Sequence, residues 1–213
     1  MAFNTKLDLD PANTSADRYL SGATGATFTL TETTTGGVGL ARIVSILNND
    51  ARDDTLITIT IVGTDADGKA QTEVIAGPDA STVTVSTKHY LTVTSVTPLS
   101  TIGANTYDIG FNDDMVSKTI PLDNFSDLGA VATISVTGTI GFDVEVTYDL
   151  VNSPDFTWTD QSTPVWLNAT NITAKTASII GVLDQGAQAC RVRVNSYTDT
   201  AELAVWIAQS RSA

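Results

Sequence analysis

Short segments in which polar and apolar residues alternate at every second position constrain the fold of this chain most. LITITIV (56–62), KAQTEVI (69–75), TVTVS (82–86) and LTVTSV (91–96) are separated by the turn-forming sequences GTDADG and AGPDAS. A period of two residues is typical of a β-strand with one buried face, whereas a helix repeats every 3.6 residues. Thr, Val and Ile also fit a pleated strand better than a helix. We therefore predict a block of β-hairpins over residues 56–96.

Further strands are predicted on both sides of this block. We expect them at 28–31, 39–48, 105–111, 131–138, 141–150, 176–183, 189–197 and 201–209. Residues 8–20 are expected to form either a short helical turn after Pro11 or an ordered arm. Turn signals recur about every 8–12 residues, which is typical of β-sandwiches and barrels. The predicted fold class is therefore all-β, with two β-sandwich or jelly-roll-like modules, a short N-terminal arm and very little helix.

A change in composition and periodicity marks the predicted boundary between the two modules. The segment NDDMVSKTIPLDNFSDLGA (112–130) contains Pro121, a cluster of charges and little periodicity, as linkers do. A chain of 213 residues is long enough to bury two modest cores. We predict an N-terminal β-module over 1–115 and a C-terminal β-sandwich module over 116–213.

The clearest two-faced strand is predicted in GFDVEVTYDL (141–150). Its apolar face carries Phe142, Val144, Val146 and Tyr148, and its polar face carries Asp143, Glu145, Thr147 and Asp149. This alternation predicts a strand that packs on a core with one face and meets solvent with the other.

The charge of the chain excludes several classes of partner. Its formal net charge is −13, and both halves are acidic, with 6 basic and 14 acidic residues in 1–115 and 5 and 10 in 116–213. Proteins that bind phosphate backbones or anionic membranes need clustered Lys and Arg, and no basic tract occurs here. We therefore predict no direct nucleic-acid binding and no membrane binding.

The N-terminal sequence and the cysteine content indicate the compartment of synthesis. Residues 1–20 lack the apolar stretch of a signal peptide. No apolar run approaches the ~18–20 residues of a membrane span. Cys190 is the single cysteine, so it cannot form an internal disulfide. We expect a chain that is made in the cytosol without a signal peptide and does not depend on disulfide bonds.

No metal or cofactor site is predicted. TDADGKAQTE (64–73) resembles a calcium loop, but Gly63 occupies the first ligand position and Glu73 comes one residue early. Asp67-Gly68 between alternating strands instead predicts a hairpin turn, where a positive φ is needed. One histidine, His89, and one cysteine, Cys190, cannot make a usual zinc site.

No catalytic residue is predicted either. Cys190 alternates onto an apolar face, which indicates a buried and inert thiol. His89 is expected to be a surface or cross-strand residue. Adjacent acids at 53–54 and 113–114 are expected in loops. Asp143 and Glu145 share one strand face, an arrangement that glycosidase acids also adopt, and this leaves a weak glycosidase hypothesis open.

Aromatic residues in a Pro-containing loop are the candidate interaction site. Trp158 and Trp166 lie in this loop, with Phe156 between Pro154 and Trp158. Exposed aromatic rings bind sugar rings or anchor partner proteins, which makes these three residues a candidate ligand or interface platform. The alternative, which we favour, is that the rings close the end of a β-sandwich.

Two segments of the chain resemble structural proteins of tailed bacteriophage particles. The first is ITIVGTDADGKAQTEVIAGPDASTVTVSTKHYLTVTSVTP (59–98), in which an aliphatic strand meets a GTDADG turn and a TExIxGP sequence follows. The second extends from VEVTYDL (144–150) through VWLN (165–168) to ACRVRVNSYTDTAELAVWIAQ (189–209). Together they span about half of the chain, and their motifs are structural rather than catalytic.

The resemblance implies a β-rich virion subunit that assembles with itself, often as a homotrimer, and with a major capsid protein or other virion proteins. Made in the bacterial cytoplasm, it would reside in the virion as a non-enzymatic decoration or cement subunit on the outside of the head. Alternatives are a neck, tail or baseplate component and, from another class, a carbohydrate-binding adhesion module that uses Trp158 and Trp166.

Overall fold

Every regular element in the described part of the chain is a β-strand. The computed structural model describes residues 3–11, 15–24, 28–36, 38–100, 105–122, 129–149, 161–198 and 200–209. The strands are β1 (Phe3–Leu9), β2 (Ser15–Ala23), β3 (Leu40–Asn48), β4 (Thr58–Thr64), β5 (Ala70–Ala76), β6 (Val83–Tyr90), β7 (Thr92–Pro98), β8 (Tyr107–Ser117), β9 (Ile120–Pro121), β10 (Ala130–Thr137), β11 (Ile140–Thr147), β12 (Leu167–Asn168), β13 (Ile179–Val182), β14 (Ala189–Tyr197) and β15 (Glu202–Gln209). The all-β prediction is confirmed. Among the described residues, no helix has the length and apolar character needed to cross a membrane.

The chain groups into two units that are discontinuous in sequence. The first unit comprises Met1–Ala12, Gly37–Leu40 and Asp114–Ala213, and the second comprises Asn13–Gly36 and Ala41–Asp113. A domain is a segment that folds independently, and spatial grouping alone does not test this property. The modules 1–115 and 116–213 therefore stay a prediction.

In the first unit, two antiparallel sheets enclose a hydrophobic core. One sheet has the strand order β1-β15-β10-β13. In the other, β11 lies between β12 and β14, and β14 also pairs with β9 and with the last residues of β8. Apolar side chains of both sheets form a single buried cluster that includes Phe142, Val144, Val192, Val205 and Ile207. This sandwich-like packing follows from strands that each turn one apolar face inward.

The second unit contains a separate core rich in aromatic rings. Strands β8, β3 and β6 are neighbours, β2 pairs with β8, and β5-β4-β7 form a three-stranded sheet. The buried cluster includes Tyr19, Tyr90, Tyr107 and Phe111. The Arg42 guanidinium carbon lies 4.3 Å from the centre of the Phe111 ring, so an apolar surface covers this fully buried cation.

The predicted strands of residues 56–96 and the DADG turn are confirmed, but only β4 and β5 form a hairpin, because β6 pairs with β3 and β7 returns to pair with β4. Strands β4 and β5 pair in continuous antiparallel register from Thr58 opposite Ala76 to Thr64 opposite Ala70. At the turn between them, Gly68 has a φ of 77°, a conformation that glycine adopts without steric cost. The Asp65 carboxylate accepts hydrogen bonds from the backbone N–H groups of Asp67 and Lys69, both at 2.9 Å. This carboxylate therefore stabilises the turn itself.

The prediction that β11 turns a polar face to solvent is wrong. All eight of its residues are buried, including Asp143, Glu145 and Thr147. The alternation correctly identified which side chains share a face. The polar face is nevertheless covered, because each of the two acids has hydrogen-bond partners on adjacent segments.

Three other local predictions are also wrong. Residues 28–31 are not a strand, and Thr31 instead donates from its backbone N–H to Tyr19 O. The predicted linker at 112–130 begins inside β8, which continues to Ser117 and includes both acids of the 113–114 pair. Of the two alternatives for residues 8–20, the helical turn is wrong where the structure describes the segment, because β1 continues to Leu9 and β2 begins at Ser15; residues 12–14 lie outside the described residues. Residues 3–9 form strand β1 and pair along their whole length with β15.

Candidate assembly surface

Trp166 is the predicted platform residue that the structure describes, and it contributes to the packing of the first unit. It is half-buried just before β12, and its indole Nε1 donates to the Gln161 carbonyl at 2.9 Å. The Arg191 guanidinium carbon lies 4.3 Å from the centre of its ring. One ring face is therefore covered by a cation from β14. Trp158 and Phe156 lie outside the described residues.

Arg191 belongs to a ladder of ion pairs that crosses three strands. Its Nε donates to Glu145 Oε2 on β11 at 2.7 Å. Arg193, two positions later on β14, contacts the other oxygen of Glu145 at 3.4 Å and both carboxylate oxygens of Asp114 on β8, at 2.9 and 2.6 Å. The pairing follows from register, because Glu145 lies directly opposite Arg191. Fork-shaped guanidinium groups make such two-point contacts with carboxylates.

Burial and neighbouring charges shift the pKa values of these two arginines in opposite directions. Burial lowers the pKa of Arg191, while the adjacent Glu145 carboxylate raises it. The hydrogen bond to Asp114 raises the pKa of Arg193. Arginine keeps its proton throughout the neutral range, so the ladder holds two cations between two carboxylates. Its chemistry is structural, since each charged group already has an opposite charge.

Asp143, the other acid of the glycosidase hypothesis, also has local partners. Its Oδ1 accepts from the Ala174 backbone N–H at 2.6 Å, and its Oδ2 accepts from the Asn195 side-chain amide at 3.0 Å. Ala174 has a positive φ of 51°, so the carboxylate stabilises an uncommon backbone conformation. Both acids of the pair thus hold the β11–β14 region together.

The sheet β1-β15-β10-β13 presents an apolar surface on the side away from the core. We give the name outer face to these residues on the solvent side of the sheet: Lys6, Val131, Thr133, Ile180, Val182, Ala204, Trp206 and Ala208. The polar residues Asn4, Asp8, Ser135, Thr137 and Glu202 lie on the same side. Ile180 is 72% exposed, Val182 53% and Trp206 38%. Isolated apolar side chains on a surface are ordinary, whereas neighbouring ones make this face a candidate interaction surface.

The register of the sheet explains how the outer face is arranged. Trp206 lies between Lys6 on β1 and Thr133 on β10, and Ile180 on β13 follows as the next residue in the row. The Lys6 amine lies 5.6 Å from the centre of the Trp206 ring and 2.9 Å from Asp8 Oδ1. The charged residues of this row are therefore confined to the β1 side, and the β13 side is apolar.

An acidic groove adjoins the outer face. It has a volume of about 240 Å³, and its lining includes the acids Asp8, Asp10 and Glu202 together with Ser135 and Thr137. In the part of the chain that the structure describes, no group of three or more His, Cys, Asp or Glu residues is placed to hold a metal ion. A groove of this kind suits a basic or hydrogen-bonding side chain of a partner.

Cys190 and His89, for which no catalytic role was predicted, lie in different units. Cys190 is buried in the sandwich core, and burial raises the pKa of its thiol to about 12. This confirms the predicted buried thiol, and such a thiol is not ionised at neutral pH. His89 is half-buried near the end of β6, opposite Ile43 on β3, which confirms its cross-strand position.

Sequence reasoning overlooked the outer face, although β15 carries a signal for it. Leu203, Val205 and Ile207 face the core, yet Trp206 and its Ala neighbours on the opposite side are also apolar. Strands with apolar side chains on both faces are typically covered on both faces.

Comparisons with known proteins identify no family. No protein-family model matches the chain, and no curated protein matches it. Among solved structures, the chain is similar to the major capsid protein P2 from bacteriophage PM2, with 13% identity and a TM-score of 0.19 over 99% of this chain and 100% of that one. A TM-score of this size carries no argument about the fold or the function of this chain.

Proposed function

We propose that the chain is a non-enzymatic structural protein of a bacteriophage virion, namely a decoration or cement subunit on the outside of the head. The outer face is the observation that carries this proposal. It places Trp206, Ile180 and Val182 on the solvent side of a four-stranded sheet, and exposed aromatic and aliphatic residues of this kind occur at the centres of protein interfaces. The resemblance of segments 59–98 and 144–209 to tailed-phage structural proteins supports the same class.

The charge of the chain supports a position on the outside of the particle. A subunit of net charge −13 is repelled by packaged DNA, whose backbone is also anionic. The acidic groove beside the outer face complements basic side chains of a partner. The proposed partners are a major capsid protein and further copies of this chain, with the homotrimer as the proposed assembly. Binding to duplex DNA at moderate salt would contradict this orientation.

The proposal is tested by adding the purified protein back to capsids that lack it and measuring capsid melting. A cement subunit raises the melting temperature, because it binds the assembled state and not the dissociated one. Trp206→Glu places a charge in the centre of the outer face and should abolish the rise. Tyr148→Glu alters a similarly exposed aromatic residue of the same unit and should preserve it.

Three results would contradict the decoration role. They are capsids whose melting does not change with the wild-type protein, equal loss of the effect in both variants, and electron microscopy of native particles that locates the chain elsewhere. Location in the neck, tail or baseplate would support the second version of the virion proposal.

A carbohydrate-binding adhesion module is the alternative from another class. The half-exposed ring of Trp166 favours it, since aromatic rings stack on sugars. Titration with sugars should then quench the tryptophan fluorescence, and Trp166→Phe should weaken the quenching while the fold is retained. Unchanged fluorescence across a panel of surface glycans would exclude this alternative.

A further inference from the structure

The strand β13 is a short edge strand that carries no protecting charge or proline. It is the terminal strand of the four-stranded sheet and pairs with β10 through Ile179–Val182. Natural edge strands are protected against pairing with other chains by charges, prolines or bulges. The segment TASIIGVL (176–183) contains no charged residue and no proline. Strand β1, at the other edge, carries Lys6 and Asp8.

The hydrogen-bond pattern shows which backbone groups of β13 point outward. The Leu183 N–H donates to Ala130 O at 2.8 Å, which makes this residue pair a hydrogen-bonded pair of the antiparallel ladder. In such a ladder every second residue bonds to the neighbouring strand, so Gly181 and Ile179 face β10. The N–H and C=O groups of Ile180 and Val182 therefore point away from β10, toward the side on which the described part of the chain places no strand.

The same two residues also carry the most exposed large apolar side chains of the outer face. Ile180 and Val182 are 72% and 53% exposed. Each therefore offers an outward backbone donor, an outward acceptor and an aliphatic side chain beside them. This combination is what a strand of another chain needs in order to extend a sheet.

We infer that β13 pairs antiparallel with β13 of a second copy, around a twofold axis at Gly181. Ile180 of each copy then lies opposite Val182 of the other, and the pair forms four backbone hydrogen bonds. The aliphatic side chains of both copies meet on the outer face, so that two four-stranded sheets become one continuous sheet. The interface is self-complementary, as a twofold axis requires.

Charge favours a second copy as the occupant of this edge. Two chains of net charge −13 repel each other over most of their surfaces, and the uncharged segment 176–183 is a place where they can meet without opposing like charges. Pairing with β1 of another copy would instead bring Ile180 and Val182 against a strand that carries Lys6 and Asp8. Pairing with β13 matches apolar with apolar side chains.

The size of the edge sets the strength of the contact. A four-residue strand edge with its side chains buries far less than the about 800 Å² per partner of a standard stable interface. The pairing is therefore weak between free molecules and becomes effective where copies are concentrated side by side, as on a particle surface. The β13–β13 contact joins two copies at a time, and other contacts between copies are independent of it.

Sedimentation of the purified protein from micromolar to millimolar concentration tests the inference. The mass of wild type should rise reversibly at the high end, and Val182→Lys should abolish this rise. Val74→Lys is the matched control, because Val74 is 60% exposed on β5, a terminal strand of the three-stranded sheet, and this variant should associate like wild type. No capsid is present, so this result is independent of the decoration role.

Three outcomes of this experiment would overturn the inference. They are wild type that stays at one mass over the whole range, association that persists in Val182→Lys, and equal loss of association in Val74→Lys.

Amide hydrogen exchange of the wild-type protein gives a second test that needs no variant. The Ile180 and Val182 amides should exchange freely in dilute solution and become protected as the concentration rises. The Gly181 amide, which bonds to β10, should be protected at every concentration. Ile180 and Val182 amides that exchange equally fast at all concentrations would refute the pairing even if Val182→Lys failed to fold.

Discussion

The guanidinium group of Arg191 is stacked on the indole ring of Trp166, with 4.3 Å between its central carbon and the ring centre. The same group bonds to Glu145 on the neighbouring strand. An aromatic face provides an apolar cover for a cation while retaining part of its electrostatic stabilisation. The ring thus allows the Arg191–Glu145 ion pair to lie at low exposure.

Trp166→Ala should lower the free energy of unfolding by about 1–3 kcal/mol, because the cation loses its cover and the Gln161 carbonyl loses a donor. Urea unfolding measures the change. Trp206→Ala is the control, since Lys6 over that ring is exposed and the loss there should stay below about 1 kcal/mol. Equal losses in the two variants would show that the stack on Arg191 contributes nothing particular.

Glu145→Gln should destabilise the protein by about 3–5 kcal/mol, because it leaves the buried Arg191 without its anion. Asp114→Asn alters the more exposed end of the same ladder, and its cost should be about 1 kcal/mol or less. Chemical denaturation of both variants gives the comparison. A larger loss for Asp114→Asn would mean that exposure does not set the strength of these ion pairs.

Cys190 should make stability depend on alkaline pH. Its pKa rises from about 9 to about 12 in the folded state, so the unfolded thiol ionises first as pH increases. The contribution of this residue to stability is therefore complete below pH 9. It then falls by about 1.4 kcal/mol per pH unit toward pH 12.

The pH dependence is best compared between pH 9 and pH 10, before the buried tyrosines contribute. Burial also raises the pKa values of Tyr19 and Tyr107, but from an ordinary value of 10. Over this window, Cys190→Ala should lose stability less steeply than wild type in chemical denaturation. Parallel curves for the two proteins would show that the thiol does not stay protonated in the core.

The protein should lose stability when the DADG turn loses the Asp65 carboxylate or Gly68. Asp65→Ala removes the acceptor for two backbone N–H groups and should cost about 1–3 kcal/mol, whereas Asp65→Asn retains a carbonyl oxygen and should cost less. Gly68→Ala should cost about 1–2 kcal/mol, because its φ of 77° is strained for other residues. Thermal melting of these variants gives the ranking.

The same experiment separates a turn from a calcium site. If Asp65 only stabilises the hairpin, calcium or a chelator leaves the melting temperature of wild type unchanged. A calcium-dependent rise that disappears in Asp65→Asn would favour metal binding at this loop.

The sequence predicted the strands better than it predicted their surroundings. Alternation in β4, β5 and β14 reports directly which side chains share a face, so these strands and the burial of Cys190 were predictable. Whether a polar face meets solvent or another segment depends on long-range packing. Asp143 and Glu145 therefore looked like surface acids.

The sequence does contain a signal that Asp143 and Glu145 are paired rather than exposed. Arg191 and Arg193 have the same two-residue spacing as Asp143 and Glu145, and each arginine lies opposite one of these acids in the β11–β14 register. Opposite charges at equal spacing on two predicted strands indicate a cross-strand ladder. The pairing of β1 with β15 had no comparable signal, because neither register nor strand order follows from residue types alone.

The β1–β15 pair has a consequence for the order of events during synthesis. Leu9 on β1 pairs with Leu203 on β15. Both segments of the second unit, Asn13–Gly36 and Ala41–Asp113, lie between these two residues in the sequence. Ribosomes add about 5–20 residues per second, so β1 waits many seconds after its own synthesis before β15 exists. The second unit has all of its strands well before that time. One of the first strands to be made is thus among the last to acquire its neighbour, and closing so long a loop slows the final step of folding.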